Sequence, residues 1–438
     1  MTNLRNIECG DLVRVVKKNM ILEGIVMPAT EFTSSDVIIL KLSNGYNVGI
    51  SLKDAKVEVL KKSYISVGVE SPQARTRIKG GGNLKLSLVS TGGTIVSKVE
   101  YETGAVKPAL TAQELIELAP EFLDEIAELE VVELFRLLSE DLTPSHWSRI
   151  ADEVAKKIES GVNGVIVAHG TDTMSYTAAA LAFALRNLPC PVMLVGAQRS
   201  SDRPSTDSVL NLRACPVVAA RAPFGEVTVV MHGHTSDSYV LVHRGVKVRK
   251  MHTSRRDAFQ SINDVPLARI DFPERKFSLI NRRYLPRSKP ELFIAKTKFS
   301  EKVALIKAYP GFDCEIIDYL VDRGYEGIVI EGTGLGHIRG KCVEAIKRAC
   351  EEGVIVVMTS QTLFGRVNMK VYTNGRKLIL AGVIPGSDML PEAAYAKLSW
   401  LLANVPDRNE VKILMTRNLV NEINEIHDMN VYPRWYHG

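Results

Sequence analysis

The sequence lacks a long hydrophobic run, a paired cysteine motif and a charged tail. No stretch approaches the roughly 18 apolar residues of a membrane-spanning helix, and the opening residues MTNLRNIECG lack the apolar centre of a secretory signal. There is no CxxC pair and no histidine at zinc-ligand spacing beside the scattered cysteines, which are Cys9, Cys190, Cys215, Cys314, Cys342 and Cys350. We therefore expect a cytoplasmic protein with reduced thiols and no zinc site.

The charge balance excludes little else. The 55 basic and 50 acidic residues give a formal net charge of +5, a mild bias that tolerates an RNA partner without requiring one. A GxxxxGKS/T phosphate-binding loop is also absent, so the sequence gives no sign of an ATP site of its own. With 438 residues, the chain is long enough for about two to four domains, each with its own core.

Short β patterns alternate with polar or glycine-containing turns in the first 60 residues. The β patterns are DLVRVV, LEGIVM, DVIILKL, YNVGISL and KVEVL. Closely spaced strands of this kind predict a small β-barrel, which we assign to residues 1–75. The glycines of Lys79-Gly80-Gly81-Gly82-Asn83 predict a flexible linker, which we assign to residues 76–83.

From Leu84 onward, continuous apolar strands alternate with glycine-rich turns and helical patterns. The strand patterns are LKLSLVS, GVIVAHG and PVMLVGA in the first half, and VALIKAYP, YEGIVIEGTG and GVIVVMTS in the second. This alternation predicts an α/β fold with mostly parallel sheets covered on both faces. We assign one α/β domain to residues 84–281 and another to residues 302–438, with a basic, proline-containing connection at 282–301.

The first candidate for chemistry is Ser90-Thr91-Gly92-Gly93-Thr94, which directly follows a buried-strand pattern. Ligands of open α/β sheets bind beyond the carboxyl ends of the strands, where this segment would lie. Paired glycines allow a sharp turn and a close approach of a ligand to the backbone. The Thr91 hydroxyl would then face the cleft, although a tight turn without a chemical role has the same pattern.

The second candidate is His169-Gly170-Thr171-Asp172-Thr173, between a strand pattern and an alanine-rich helix. The free N–H groups at such a helix start favour an oxyanion or a bound carboxylate. Thr and Asp are also ordinary helix N-caps, so a purely structural role has the same signature. We interpret His169 as a residue that closes the turn rather than as a general base.

The third candidate is Lys250, within a run of six basic residues and no acid between positions 243 and 256. Such a run is typical of a solvated or RNA-facing loop. A partly buried lysine crowded by like charges could instead accept a proton from a hydroxyl, whereas a neighbouring Asp172 carboxylate would oppose this. The sequence leaves these alternatives open.

Together, the TGGT segment, the HGTDT segment and the lysine resemble the bacterial-type L-asparaginase family over residues 84 to 425. The resemblance implies a catalytic site made of Thr91, Thr171, Asp172 and Lys250. It also implies that the segment containing Ser139 and Glu140 holds the α-carboxylate and α-amino groups of the substrate. Family members often have Ser or Gln at the position of Glu140, whose carboxylate could pair with an ammonium group.

The preceding β module distinguishes this chain from asparaginases. With that module, the stretches GYNVGISL, YETGAVKPALTAQEL and ELFRLLSEDLTPSHW resemble the D-subunit family of archaeal glutamyl-tRNA(Gln) amidotransferases. This resemblance implies a glutaminase whose ammonia passes to an E subunit (GatE), which binds tRNA(Gln) and uses ATP and Mg²⁺ to amidate misacylated Glu-tRNA. It further implies a homodimer within a (DE)2 heterotetramer, with no cofactor in this chain.

The expected reaction begins with attack of Thr91 on the side-chain amide carbon of glutamine, which gives an acyl-enzyme and ammonia before water releases glutamate. Tyr101 could assist or close the site, and Thr171 with Lys250 is the other route to a nucleophile. One alternative is a free-standing asparaginase or glutaminase. A weaker alternative is an RNA-binding or dinucleotide-binding protein. The basic run suggests the first, and the glycine cluster Gly332-Thr333-Gly334-Leu335-Gly336 suggests the second. His337 stands where a GxGxxG motif has its third glycine, which argues against dinucleotide binding.

Overall fold

The computed structural model describes most of the chain. The described residues are 7–18, 20–27, 34, 36–44, 46–62, 75–92, 97–99, 106–108, 120–200, 205–426 and 431–432. Among the described helices, none has the length and apolarity that crossing a membrane requires.

An antiparallel sheet of five strands forms the N-terminal module, in the order β4-β3-β2-β1-β5. The strands are β1 (Leu12–Lys17), β2 (Met20–Met27), β3 (Val37–Leu42), β4 (Asn47–Ser51) and β5 (Ala55–Lys61). Alternation along β1 buries Val13 and Val15, while Arg14 lies outside and pairs with Glu23. All five predicted strands are therefore present. The described residues contain no pairing of β4 with β5, so closure of the sheet into a barrel stays a prediction.

A nine-stranded mixed sheet organises the next part of the described chain, in the order β19-β18-β15-β14-β13-β11-β7-β10-β6. The strands from here to the interdomain connection are β6 (Arg75–Lys79), β7 (Leu84–Gly92), β8 (Ser97–Val99), β9 (Val106–Pro108), β10 (Ile126–Leu137), β11 (Gly164–Ala168), β12 (Leu185–Arg186), β13 (Val192–Val195), β14 (Val227–His232), β15 (Tyr239–Arg244), β16 (Val248–Lys250), β17 (Phe259–Ser261), β18 (Ala268–Asp271) and β19 (Lys276–Leu279). The helices are α1 (Pro144–Glu159), α2 (Met174–Ala184) and α3 (Ser208–Arg221), with 3-10 turns at Pro120–Glu125 and Ser139–Asp141.

The centre of this sheet is parallel and covered on both faces, as the sequence predicts. Strands β14, β13, β11, β7 and β10 run parallel to their neighbours in that order. Every residue of β11 is buried; Val165 and Val167 pack in the cluster that contains α1 and α2, whereas Ile166 and Ala168 pack in the cluster that contains α3. Burial on both faces explains the continuous apolar strand patterns.

The linker predicted at residues 76–83 is wrong. Strand β6 pairs antiparallel with β10 as an edge of the large sheet, and two of the three glycines that follow, Gly80 and Gly82, pack closely against neighbouring residues. A Cβ on Gly80 would lie 2.2 Å from the carbonyl oxygen of Ile126, and one on Gly82 would lie 2.0 Å from the carbonyl carbon of Glu125. Glycine is needed here because the chain crosses directly over the start of β10.

A four-stranded parallel sheet, in the order β21-β22-β23-β24, forms the C-terminal part of the described fold. The strands after residue 290 are β20 (Ile294–Ala295), β21 (Val303–Lys307), β22 (Gly327–Gly332), β23 (Ile355–Ser360) and β24 (Ile384–Pro385). The helices are α4 (Glu315–Asp322), α5 (Val343–Glu351), α6 (Thr373–Leu380), α7 (Pro391–Asn404) and α8 (Arg408–Thr416), with 3-10 turns at Pro290–Leu292 and Gly340–Cys342. One apolar cluster contains residues of α7 and α2, so the two α/β parts share a core.

The expectation that all six cysteines are reduced is also wrong. Cys314 and Cys342, 28 positions apart, form a disulfide with Cα atoms 5.0 Å apart. They lie directly before α4 and α5, which the sheet brings together. Since the pairing depends on the packing of two helices, the spacing of cysteines in the sequence carries no sign of it.

Candidate active site

The two predicted threonine segments leave the large sheet at the same edge. Strands β7 and β11 are parallel neighbours, and Ser90 on β7 pairs with Ala168 on β11. Thr91 is 1% exposed, and its hydroxyl donates a hydrogen bond of 3.0 Å to the carbonyl oxygen of Ala168. Thr91 therefore contacts the last residue of the strand that leads into the HGTDT segment.

A glycine is required directly after Thr91. Gly92 has a φ of +100°, and a Cβ at this position would lie 2.4 Å from the carbonyl oxygen of Leu137 on β10. The first glycine of TGGT thus allows β7 and β10 to remain in contact where both strands end. Gly93, Thr94 and Tyr101 lie outside the described residues, so what the sequence predicts for them stays a prediction.

Lys250 contacts two polar residues of the HGTDT turn, Thr171 and Asp172, although it lies 79 and 78 positions away in the sequence. Its Nζ donates to Oγ1 of Thr171 at 2.9 Å and to Oδ1 of Asp172 at 2.8 Å. The Lys250 side chain is 12% exposed and that of Asp172 is 69% exposed, so the contact with Thr171 is sheltered while the carboxylate reaches solvent. A hydroxyl beside an amine that a third group orients is the arrangement of an activated nucleophile or a proton relay.

Thr171 is held by close packing rather than by a helix cap. Helix α2 begins at Met174, and its N-cap is Thr173, so neither Thr171 nor Asp172 caps the helix. A Cβ on Gly196 would lie 2.8 Å from Cγ2 of Thr171, which shows how tightly the turn after β13 covers this side chain. The structural alternative for this motif, an ordinary N-cap, is therefore wrong for Thr171 and Asp172.

Ser139 contacts the same turn, and Glu140 stands beside it. Ser139 is buried, its backbone carbonyl accepts a 2.7 Å hydrogen bond from the Thr173 hydroxyl, and its Oγ would lie 2.8 Å from a Cβ on Gly170. Glu140 is exposed and has no hydrogen bond or ion pair within the described part of the chain. The structure thus brings Ser139 to the HGTDT turn and leaves the carboxylate of Glu140 available.

Comparison with known proteins identifies the families that this chain resembles. Models of three families match: the GatD N-terminal domain over residues 7–60, the N-terminal asparaginase domain over residues 85–282, and the glutaminase/asparaginase C-terminal domain over residues 302–415. The D subunit of the glutamyl-tRNA(Gln) amidotransferase of Sulfolobus acidocaldarius is 50% identical over 433 residues, covering 99% of this chain and 95% of that protein. Its Pyrococcus abyssi counterpart is 52% identical over 436 residues, covering 98% of each chain.

The chain belongs to the family of glutamyl-tRNA(Gln) amidotransferase D subunits. Solved structures agree with the asparaginase part of the fold: the thermostable L-asparaginase of Thermococcus kodakarensis has a TM-score of 0.69 at 32% identity, covering 78% of this chain and 99% of that one. L-asparaginase I of Vibrio cholerae has a TM-score of 0.67 at 31% identity, covering 78% of this chain and 100% of that one. These findings confirm the family and the fold class predicted from the sequence. The domain limits at residues 75, 281 and 301 stay predictions.

The basic run around Lys250 is paired with acids within the protein. Each of its six cations has a carboxylate partner from elsewhere or from the same turn. The pairs are Arg244 with Glu226 and Asp264, Lys247 with Asp388, Arg249 with Glu392, Lys250 with Asp172, Arg255 with Asp257, and Arg256 with Asp237. Since these charges are internally compensated, the run loses its value as evidence for a nucleic-acid site.

The glycine cluster after β22 does not form a dinucleotide-binding turn. Thr333 and His337 form a β-bridge, and a Cβ on Gly332 would lie 2.5 Å from Sδ of Met358. The glycines therefore let a tight turn pack against β23, and helix α5 begins only at Val343. Within the described residues, no group of three or more His, Cys, Asp or Glu side chains could hold a metal ion.

His169 is fully buried next to the candidate site. Its Nδ1 lies 2.7 Å from the carbonyl oxygen of Gly170, and its Nε2 has no partner within the described residues. Burial lowers the pKa of His169 from 6.5 to about 4, so the imidazole is neutral at neutral pH and its Nδ1–H donates to Gly170. This contact closes the HGTDT turn, which agrees with the structural role predicted for the residue.

The buried imidazole predicts a specific loss of stability in acid. Since the folded-state pKa of His169 is about 4 and the ordinary value is 6.5, the unfolded chain takes up this proton first. The contribution of the neutral imidazole to the free energy of unfolding is therefore complete above about pH 6.5. It falls by up to about 3 kcal/mol as the pH falls towards 4. We expect His169→Gln to flatten the fall in unfolding free energy measured between pH 7 and pH 4.5. As a control, exposed His252→Gln should keep the wild-type slope, and an equal slope in both variants would contradict the prediction.

The sequence did not identify three residues that the structure brings to this site. Thr173 fixes Ser139, while Asp388 and Glu392 hold the basic strand that carries Lys250. The threonine was visible as the last residue of HGTDT. No sequence signal marks the two acids, because they lie 141 and 143 positions beyond their partners Lys247 and Arg249.

Proposed function

We propose that this chain is the glutaminase subunit of a tRNA-dependent amidotransferase. It releases ammonia from the side chain of glutamine, and a partner E subunit uses that ammonia to convert Glu-tRNA(Gln) to Gln-tRNA(Gln). The observation that carries the proposal is the contact of Lys250 with Thr171 and Asp172, one strand away from Thr91, in a chain of the D-subunit family. Hydrolysis through an acyl-enzyme needs a nucleophile and a group that takes its proton, and the threonine hydroxyls together with Lys250 are the proposed groups.

In the proposed reaction, Oγ1 of Thr91 attacks the amide carbon and its proton passes towards the Thr171–Lys250–Asp172 group. The tetrahedral intermediate collapses with cleavage of the C–N bond, the nitrogen takes a proton, and ammonia leaves. Water then attacks the glutamyl ester, which releases glutamate and restores the Thr91 hydroxyl. Backbone N–H groups at the two turns stabilise the oxyanion, and each such donor is typically worth about 3 to 4 kcal/mol.

The alternative assignment makes Thr171 the nucleophile. It is supported by one distance, since Lys250 Nζ contacts Oγ1 of Thr171, whereas the Thr91 hydroxyl donates to the carbonyl of Ala168. Under this assignment Lys250 takes the proton directly and Thr91 positions the substrate. The two schemes differ in which threonine carries the glutamyl group.

We assign the α-ammonium and α-carboxylate of glutamine to the segment with Ser139 and Glu140, and we keep for Tyr101 the role of assisting the reaction or closing the site. The exposed carboxylate of Glu140 suits an ammonium group. ATP and Mg²⁺ belong to the partner E subunit, which also binds most of the tRNA, and two copies of this chain combine with two E subunits in the cytoplasm. This division of labour is consistent with a chain that has no GxxxxGKS/T motif.

The second candidate function is a free-standing asparaginase or glutaminase, which the L-asparaginase fold of similar solved structures supports. The two candidates differ in whether glutamine hydrolysis depends on the partner subunit and its tRNA. We expect the purified chain to hydrolyse glutamine slowly, and addition of the E subunit with Glu-tRNA(Gln) and ATP to raise the rate at least about tenfold. Ammonia release and formation of Gln-tRNA(Gln) are measured together. Rapid hydrolysis by the chain alone, unchanged by these additions, would refute the coupled function and favour the free-standing enzyme.

A further inference from the structure

The strand that carries Lys250 is not part of the sheet that carries the two threonines. Strand β16 has three residues and, among the described strands, pairs with β17 alone in a separate two-stranded sheet. Thr91 instead lies near the end of β7 and Thr171 follows β11, both in the nine-stranded sheet. Within the described residues no strand ladder joins β16 to that sheet, so side-chain contacts help to set the distance between Lys250 and Thr171.

Two cations next to Lys250 in the sequence pair with acids of the C-terminal domain. Arg249 lies on β16 directly before Lys250, so alternation along the strand turns the two side chains to opposite faces, and Lys247 directly precedes the strand. Nζ of Lys247 lies 2.7 Å from Oδ2 of Asp388, and both side chains are almost fully buried. Nη1 of Arg249 lies 3.1 Å from Oε1 of Glu392, whose side chain is 5% exposed. The acids lie just before and at the start of α7.

Strands β16 and β17 form a hairpin, and the residues just after it also bind the C-terminal domain. Asn263, which follows β17, donates through Nδ2 to the carbonyl oxygens of Leu363, Gly365 and Asp388, and its Oδ1 accepts from the backbone N–H of Gly365. The backbone N–H and side-chain amide of Asn424 both donate to the Asp388 carboxylate. The C-terminal domain therefore contacts the β16–β17 hairpin through residues that precede Lys250 in the sequence and through a residue that follows it.

We propose that Asp388 and Glu392 are positioning residues that place Lys250 against Thr171 through Lys247 and Arg249. The inference rests on the proposed function, in which Lys250 moves the proton of a threonine hydroxyl. Misplacement of a catalytic group by 1 Å can reduce a rate by about 100-fold, so an ion pair that never touches the substrate controls kcat. The second domain thereby belongs to the catalytic machinery of the first.

The test uses the pair of Arg249 and Glu392, because Arg249 is partly exposed and both residues can be changed while the fully buried Lys247 keeps its partner Asp388. In the reconstituted complex, Arg249→Met and Glu392→Gln should each lower kcat about tenfold or more with KM within about twofold, as expected for a contact that matters only in the transition state. Arg249→Lys, which keeps the charge, should recover most of kcat. Arg255→Met, which breaks a local pair with Asp257 in the same basic run, should leave kcat unchanged.

A double variant separates positioning from folding. If both residues act through one contact, Arg249→Met with Glu392→Gln should be no slower than the slower single variant. Unchanged kcat with a lowered melting temperature, or losses that multiply in the double variant, would overturn the positioning role. The Lys250→Met variant distinguishes failure of the proposed function from failure of the positioning role. If Lys250→Met is active, the proposed active site is wrong. If Lys250→Met is inactive and Arg249→Met is fully active, only the positioning role is wrong.

Discussion

Replacement of Thr91 by valine is expected to lower kcat for glutamine hydrolysis about 10⁴-fold or more, since it removes the hydroxyl that forms the acyl-enzyme. Valine keeps the shape of the side chain in a site that is 1% exposed. Rapid acid quenching of the wild-type complex during turnover, followed by peptide mapping, should find a glutamyl group on the peptide that contains Thr91. The Thr171→Val protein should lose rate as well, through loss of the proton path.

A matched threonine controls for loss of a buried hydrogen bond. Thr359 is also buried and also donates to a carbonyl of the neighbouring strand, Ile330, but it lies on β23 of the C-terminal sheet. Thr359→Val should therefore retain kcat while losing a similar amount of stability. A glutamyl adduct on Thr171 would show that the alternative assignment is correct, and normal product formation by Thr91→Val would show that Thr91 is not the nucleophile.

Replacement of Lys250 by methionine is expected to lower kcat about 10³-fold, which is within the range for loss of a general acid–base group. Methionine fills a similar volume but cannot donate to Thr171 or Asp172, the two contacts of 2.9 and 2.8 Å that Nζ makes. Steady-state kinetics of ammonia release in the reconstituted complex measure the effect. KM should change much less than kcat, because the proposed substrate contacts lie in the segment with Ser139.

Lys289→Met makes the same chemical change at an exposed position of the interdomain connection and should leave kcat unaltered. Lys250→Met with wild-type kcat would contradict the proton-transfer role, whatever its effect on binding. If the protein loses kcat and also unfolds at a lower temperature, Lys250→Gln provides a second test, because it keeps a polar hydrogen-bond donor on a side chain one bond shorter.

The sequence predicts the positions of the two threonines of this site better than the position of Lys250. Thr91 and Thr171 each follow a buried apolar strand, and adjacent parallel strands bring such positions to one edge by a general rule. Lys250 follows no such rule because β16 lies outside the large sheet, so only the family resemblance indicated its place. The structure then showed the reason for the basic run: its charges meet acids that the fold brings from up to 143 positions away.

The linker predicted at residues 76–83 is wrong because glycines there serve close packing and not chain flexibility. At Gly80 and Gly82 the missing Cβ leaves room for a neighbouring backbone, whereas in the sequence the same residues are typical of a mobile linker. The Cys314–Cys342 disulfide has a similar origin. In both cases the decisive contact joins elements whose approach is set by tertiary structure, which local patterns do not encode.

Strand β6 has a consequence for how the parts of this protein can be separated. Its five residues complete hydrogen bonds along β10, yet they precede residue 85, where the match to the asparaginase family begins. A fragment cut to that match would expose a row of unsatisfied N–H and C=O groups on β10, the kind of open edge that promotes intermolecular strand addition and aggregation. Strand β6 is thus part of the large sheet although it precedes the family match, and a stable fragment of this part of the chain has to include Arg75–Lys79.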